Sequence, residues 1–279
     1  MSDLQNFIDV PTGAQRFVPR TLQSMKTSLA FIVDQRWASL IFLLVYLGLM
    51  YWDYQSALGL PTPPPPEWTE NWPEFLDPIK TQLAREGLTT WRAMLAGFVT
   101  LLYWGNALLY IADRSAAFPG DSVVGLGRYI LRGMAIAILL SVPLGIGLML
   151  LIIPGLLVAG IMMAAATITM FREFGIFRAI GEGFRVITQN LPGQKRILGF
   201  SRSFVHIVGA YGLVIVVSFL VTLLAIFVAS GLGALVPALS RPLGYLQSVL
   251  SNLIGSFLNL SFSIFVLKLY AEYRTLMRS

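Results

Sequence analysis

From Gly133 to Phe171 the chain carries no charged residue, and a Pro-Gly pair, Pro154-Gly155, sits inside that run. Those 39 residues as one helix would extend about 58 Å at 1.5 Å per residue, roughly twice the ~30 Å hydrocarbon core of a bilayer. Two crossings are therefore expected. Proline has no amide hydrogen to donate and turns its predecessor away from helical geometry, while glycine tolerates positive φ. Pro154 and Gly155 are thus the predicted hairpin turn, with arms over Met134 to Ile153 and Leu156 to Phe171. Pro143 then kinks the first arm, where neighbouring helices can satisfy the freed carbonyl.

Composition extends the reading to the whole chain. Only 12% of the residues are charged, 56% are hydrophobic and the mean hydropathy is +0.72, whereas an ordinary soluble domain has roughly 25% charged residues. Further spans are expected over Ala38 to Trp52, Ala93 to Ile111, Phe204 to Val228 and Val249 to Leu269. The expected fold class is all-α: a polytopic integral membrane protein with six transmembrane helices arranged as three hairpins. The first 37 residues are polar and the first apolar segment ends at Asp53 rather than at small residues, so no signal peptide is expected. The chain has no cysteine, which removes disulfides, thiol catalysis and zinc–thiolate sites together.

The basic residues alternate from one inter-span segment to the next. Arg16, Arg20, Lys26 and Arg36 precede the first span; Arg114, Arg128 and Arg132 separate the second from the third. Six more, from Arg172 to Arg202, separate the fourth from the fifth, and Lys268, Arg274 and Arg278 follow at the end. Sixteen of the 20 Lys and Arg thus fall on one side, against Lys80, Arg85, Arg92 and Arg241 on the other. The positive-inside rule then places both termini in the cytoplasm. The net charge of +6 is read as a topology signal with added attraction to the anionic inner leaflet, not as a nucleic-acid footprint.

Two regions follow: residues 1–37, a cytoplasmic segment with an interfacial helix, and residues 38–279, the membrane domain. Within the latter, 53–90 forms an extracytoplasmic loop whose PTPPPPEW stretch is a polyproline spacer. Beyond it Asn71 and Glu74 can form a capping box, and Trp72, Phe75, Leu76, Ile79 and Leu83 share one helical face. Residues 172–190 are a cytoplasmic amphipathic helix: Phe174, Phe177, Ile180, Phe184 and Ile187 are spaced for the acyl boundary, and Arg178, Glu182, Arg185 and Gln189 for the headgroups. Leu22, Met25, Leu29 and Ile32 form a similar face before the first hairpin, and a shorter lead, Ser122 to Arg132, precedes the second.

The passage from Leu144 to Asn190 resembles a pattern shared by the membrane domain fused to some bacterial glycerophosphodiester phosphodiesterases and by YciC-like inner-membrane proteins. Pro154, Gly155, Glu173, Gly175 and Ala179 carry the match, while Gly183 and Asn190 stand where that family usually has serine and glycine. The resemblance implies an all-helical bacterial inner-membrane domain without catalytic residues of its own.

Chemistry is sparse. His206 is the single histidine, and one imidazole without neighbouring ligands makes a poor metal site, so a packing or interfacial role is expected. Every carboxylate falls in a predicted loop or at a predicted helix end, which argues against ion-driven transport, and Glu173 is expected to pair locally with Arg172 or Arg178. No catalytic residue, cofactor or metal is expected. One feature is out of place on a lipid-facing helix: Ser248, Asn252, Ser256, Asn259 and Ser263 recur on one face of the last span. They form either a helix seam or the wall of a polar pathway, with Asn106, Ser218 and Thr222 as prospective partners. The expected function is accordingly a non-enzymatic accessory or scaffold for membrane partners or lipid, joined by a protein partner or a second copy. The alternative is a carrier or channel for a lipid or weakly polar solute.

Overall fold

The computed structural model describes residues 17–58, 94–115, 118, 122–150, 152–188, 201–236 and 240–278. The proline stretch, the Asn71 and Glu74 pair, Gln189 and Asn190 lie outside the described residues. The described residues are all-α and form eight helices: α1 Phe17–Asp34, α2 Arg36–Leu58, α3 Met94–Asp113, α4 Leu126–Leu150, α5 Ile152–Ile168, α6 Ile176–Thr188, α7 Arg202–Leu235 and α8 Ser240–Arg278. Among the described residues four segments are long and apolar enough to cross a bilayer unaided: Met94–Asp113, Leu126–Gly147, Arg202–Leu232 and Tyr245–Arg274. The α1 and α2 helices reach that standard only jointly and are bent by 92°, and Pro154–Ile168 in α5 is apolar but shorter.

The uncharged run does reverse, three residues earlier than expected. The α4 helix ends at Leu150 and α5 begins at Ile152, so Pro154 occupies the first turn of the second helix rather than the bend. The first four amides of a helix have no partner within it, so proline costs nothing there. The two helices pack antiparallel. A β-carbon on Gly147 would lie 2.9 Å from the Gly155 amide nitrogen, closer than real β-carbons come, so the pair of glycines permits the approach. At the open end Arg132 donates to the carbonyls of Thr169 (3.2 Å) and Phe171 (3.5 Å), the Val124 amide donates to Met170 and the Arg172 amide to Ser122. Pro143 lies inside α4 as expected.

The α8 helix is the axis of the bundle. Its C-terminal half is buried nearly all round, with Leu260, Ile264 and Leu267 packed toward α1 and α5, and Phe262, Phe265 and Leu269 in the cluster shared with α7. Against it α1 presents a hydroxyl face. Ser24, Thr27 and Ser28 are fully buried, the first two and Ser28 each donating to the carbonyl four residues back, and Ser28 also meets Ser261 at 2.9 Å. Leu22, Leu29 and Val33 are exposed on the opposite side. The buried face of α1 thus combines these hydroxyls with Phe31, and its exposed face is largely apolar.

Two expectations about charge are corrected. Glu272 is no helix-end residue but lies within α8, only 5% exposed, where its carboxylate sits 2.7 Å from the Arg20 guanidinium. Helix α8 continues past the end of its apolar stretch because α1 and α6 cover it there, so the carboxylate is carried into protein. Glu173 pairs not with Arg172 or Arg178 but with Arg274, at 2.9 Å. Arg172 instead donates to the Val123 carbonyl at 3.1 Å.

Candidate functional site

The polar stripe of α8 divides at Ser256. Ser248, Asn252 and Ser256 line a cavity of about 510 Å³ closed by α2, which contributes Tyr46 and Asp53, and by α3, which contributes Thr100 and Trp104. Ser248 and Asn252 are exposed and Ser256 is half-buried. Below that level the stripe enters the packed part of the bundle: Asn259 and Ser263 are half-buried, with the Ser263 hydroxyl donating to the Asn259 carbonyl at 3.0 Å. The outer three residues thus face open space, whereas the inner two are half-buried and line neither this cavity nor the next.

A second cavity of about 580 Å³ lies on the other side of Trp104 and Ser256, between α1, α2, α3 and α8. Its walls are mostly apolar, with Leu40, Phe42, Leu43, Leu253 and Phe257, and Arg36 stands at its edge. Tyr103 is fixed there on three sides. Its ring stacks on Phe42 at 4.2 Å between centroids, tilts against Phe31 at 5.8 Å, and its hydroxyl meets Ser39 at 2.7 Å. Both volumes lie within the range of about 300–1,000 Å³ typical of small-molecule pockets, and both combine apolar walls with a few polar groups.

The other prospective partners stand elsewhere. Asn106 is exposed on α3, and Ser218 and Thr222 are half-buried on α7; none of the three lines either cavity. The reason is geometric. Helix α7 packs on α8 through Ile207, Ala210 and Val214, so α2 and α3 form the wall opposite the stripe. Thr100 and Trp104 of α3, and Tyr46 and Asp53 of α2, were missed as lining residues. Their spacing of four and of seven puts each pair on one helical face, a signal that hydrophobic neighbours conceal.

On α6 the expected interfacial face is rotated. Phe174, assigned to lipid, is 6% exposed and packs against Tyr270, and Ile187 is fully buried. Phe174 precedes the first turn of α6, so helical spacing does not govern its direction. The exposed face instead carries Phe177 (80%) and Phe184 (51%) together with Arg178 and Arg185. Gly183 allows this rotation, because a β-carbon there would meet the Ile161 carbonyl oxygen and the Ala165 amide nitrogen of α5, each at 2.9 Å. Helix α6 lies on α5 through Ala179, Gly183, Val186 and Ile187.

Among the described residues no three His, Asp or Glu side chains converge as metal ligands would. The cavities offer hydroxyls, an amide, one carboxylate, one guanidinium and apolar walls, a set able to hydrogen-bond a bound molecule. No known protein family, curated protein or solved structure matches this chain. The helices and their cavities define an all-α protein whose apolar helices are compatible with a membrane protein.

Proposed function

We propose that the protein is a non-enzymatic, multi-pass membrane protein that holds a lipid-like amphiphile in the cavity beside the outer half of α8. The observation that carries this reading is the surroundings of Ser248, Asn252 and Ser256, which line a cavity instead of meeting a partner helix. Polar side chains at membrane depth are retained where they line a cavity or meet one another, and a helix seam would have consumed them. The same reading takes six crossings, by α2, α3, α4, α5, α7 and α8, with α1 and α6 at the inner surface and both termini in the cytoplasm. The antiparallel packing of α4 and α5 supports the two central crossings, and the basic residues support the orientation. The likeness of Leu144 to Asn190 to the YciC-like and phosphodiesterase-linked membrane domains would place it in a bacterial inner membrane.

Native mass spectrometry of the protein taken in nanodiscs from its own membrane tests the proposal. A lipid or small amphiphile retained by the parent chain and lost from Asn252→Leu, with the fold intact, is the expected result. Equal retention by both chains would reject the cavity as the site.

A second reading, an accessory or scaffold for membrane partners, draws on α6. Phe177 and Phe184 are large, exposed and flanked by Arg178 and Arg185, the composition of a helix face that grips an anionic leaflet. A stoichiometric protein in the same spectra would favour it.

A further inference from the structure

The two cavities share Trp104 and Ser256 and lie end to end along α2. Ser39 and Leu43 of that helix line one, Tyr46 and Met50 the other, at intervals of four, three and four, so a single face of α2 walls both. Arg36 and Asp53 stand at the two extremes of that face, 17 residues apart, a rise of about 26 Å at 1.5 Å per residue. The hydrocarbon core of a bilayer measures about 30 Å. A groove of this length with its charges confined to the ends matches a membrane from one headgroup region to the other.

We infer that the groove is a transbilayer path for the headgroup of a phospholipid, whose acyl chains stay in the surrounding bilayer. This inference rests on the amphiphile-holding reading given above. Moving a headgroup through hydrocarbon strips its hydrogen bonds, which is the main barrier to its passage. Along the groove Ser256, Asn252 and Ser248 replace those bonds in sequence, and Thr100, whose hydroxyl donates to the Ala96 carbonyl, can still accept one. Arg36, exposed at one mouth, supplies the planar guanidinium that suits a phosphate. Ser248, Asn252 and Leu40 are exposed along the flank, the side on which chains would remain in lipid. Trp104, half-buried and common to both cavities, is the partition that a headgroup must pass.

The test uses the full chain in sealed vesicles of phosphatidylethanolamine and phosphatidylglycerol with a trace of fluorescent phosphatidylethanolamine, bleached from outside by dithionite. In protein-free vesicles about half of the label is in the inner leaflet and stays protected; with the protein, the protected half is expected to bleach as well. Trapped water-soluble dye must survive, since its loss would mean a leak and overturn the path. Asn252→Leu removes one exposed amide and is expected to slow the exchange roughly ten-fold, the equivalent of one hydrogen bond forfeited at the barrier. Trp104→Ala is expected to accelerate it and Trp104→Phe to leave it near the parent rate. Persistent protection in vesicles that contain the inserted parent chain overturns the path. Native mass spectra of the same sample then separate the two ideas: lipid retained without exchange leaves the binding reading standing, and neither lipid nor exchange removes both.

Discussion

Gly147 faces Gly155 across the α4–α5 turn so closely that a β-carbon on the first would lie 2.9 Å from the backbone nitrogen of the second. Backbone, unlike a side-chain tip, cannot swing aside. Gly147→Ala is therefore expected to destabilise the fold by about 1–3 kcal/mol, the usual cost of overpacking. Gly145→Ala is the control, since nothing lies within 4 Å of its added carbon. It should be neutral or slightly stabilising, because alanine is the better helix former. Thermal unfolding of the two variants in detergent checks the contrast, and an equal response would remove the close approach as its cause.

The ion pair between Arg20 and Glu272, with side chains only 9% and 7% exposed, makes a second prediction. Removing one partner leaves a buried charge without compensation, so Arg20→Met or Glu272→Gln alone should cost about 3–5 kcal/mol. The double variant should recover most of that loss. A double-mutant cycle followed by unfolding measures it; additive losses would show that the two side chains act separately.

Gly183 tests the seat of α6. Serine there places a β-carbon 2.9 Å from both Ile161 O and Ala165 N, so α6 must move off α5. Gly183→Ser should lower the unfolding midpoint and raise proteolysis of α6, whereas Gly181→Ser, with open space around it, should do neither. Unchanged proteolysis in the first variant would contradict the close packing.

The absence of cysteine makes α6 easy to map by site-directed spin labelling. A nitroxide at position 177 is expected to collide with oxygen dissolved in the lipid of a nanodisc. One at 179, where Ala179 is fully buried, should be shielded from oxygen and from water-soluble relaxants alike. If the label at 177 meets only the water-soluble relaxant, the helix does not rest on the membrane.

Legibility in the sequence followed the kind of force involved. The helical class was readable because a long uncharged apolar run and its interruption by a Pro-Gly pair are properties of the chain alone. The turn was displaced by three residues because proline satisfies two rules, ending one helix or opening the next, and only packing chooses between them. The stripe on α8 was legible as a stripe, but its division at Ser256 was not, since that depends on how far α2 and α3 diverge from α8. Hidden altogether were Glu272 and Phe174. A carboxylate at the end of an apolar stretch gives no local sign that a guanidinium some 250 positions away will meet it.

The seating of α1 on α8 also imposes an order on manufacture. Thr27 receives the Lys268 ammonium at 3.1 Å and Ser28 meets Ser261 at 2.9 Å, so α1 finds its partner in a helix made more than 200 positions later. During synthesis, which proceeds at about 5–20 residues per second, the hydroxyl face of α1 waits exposed for well over ten seconds until α8 is complete. A chain cut short before α8 would lack Ser261 and Lys268, and with them the cross-bundle partners of Ser28 and Thr27.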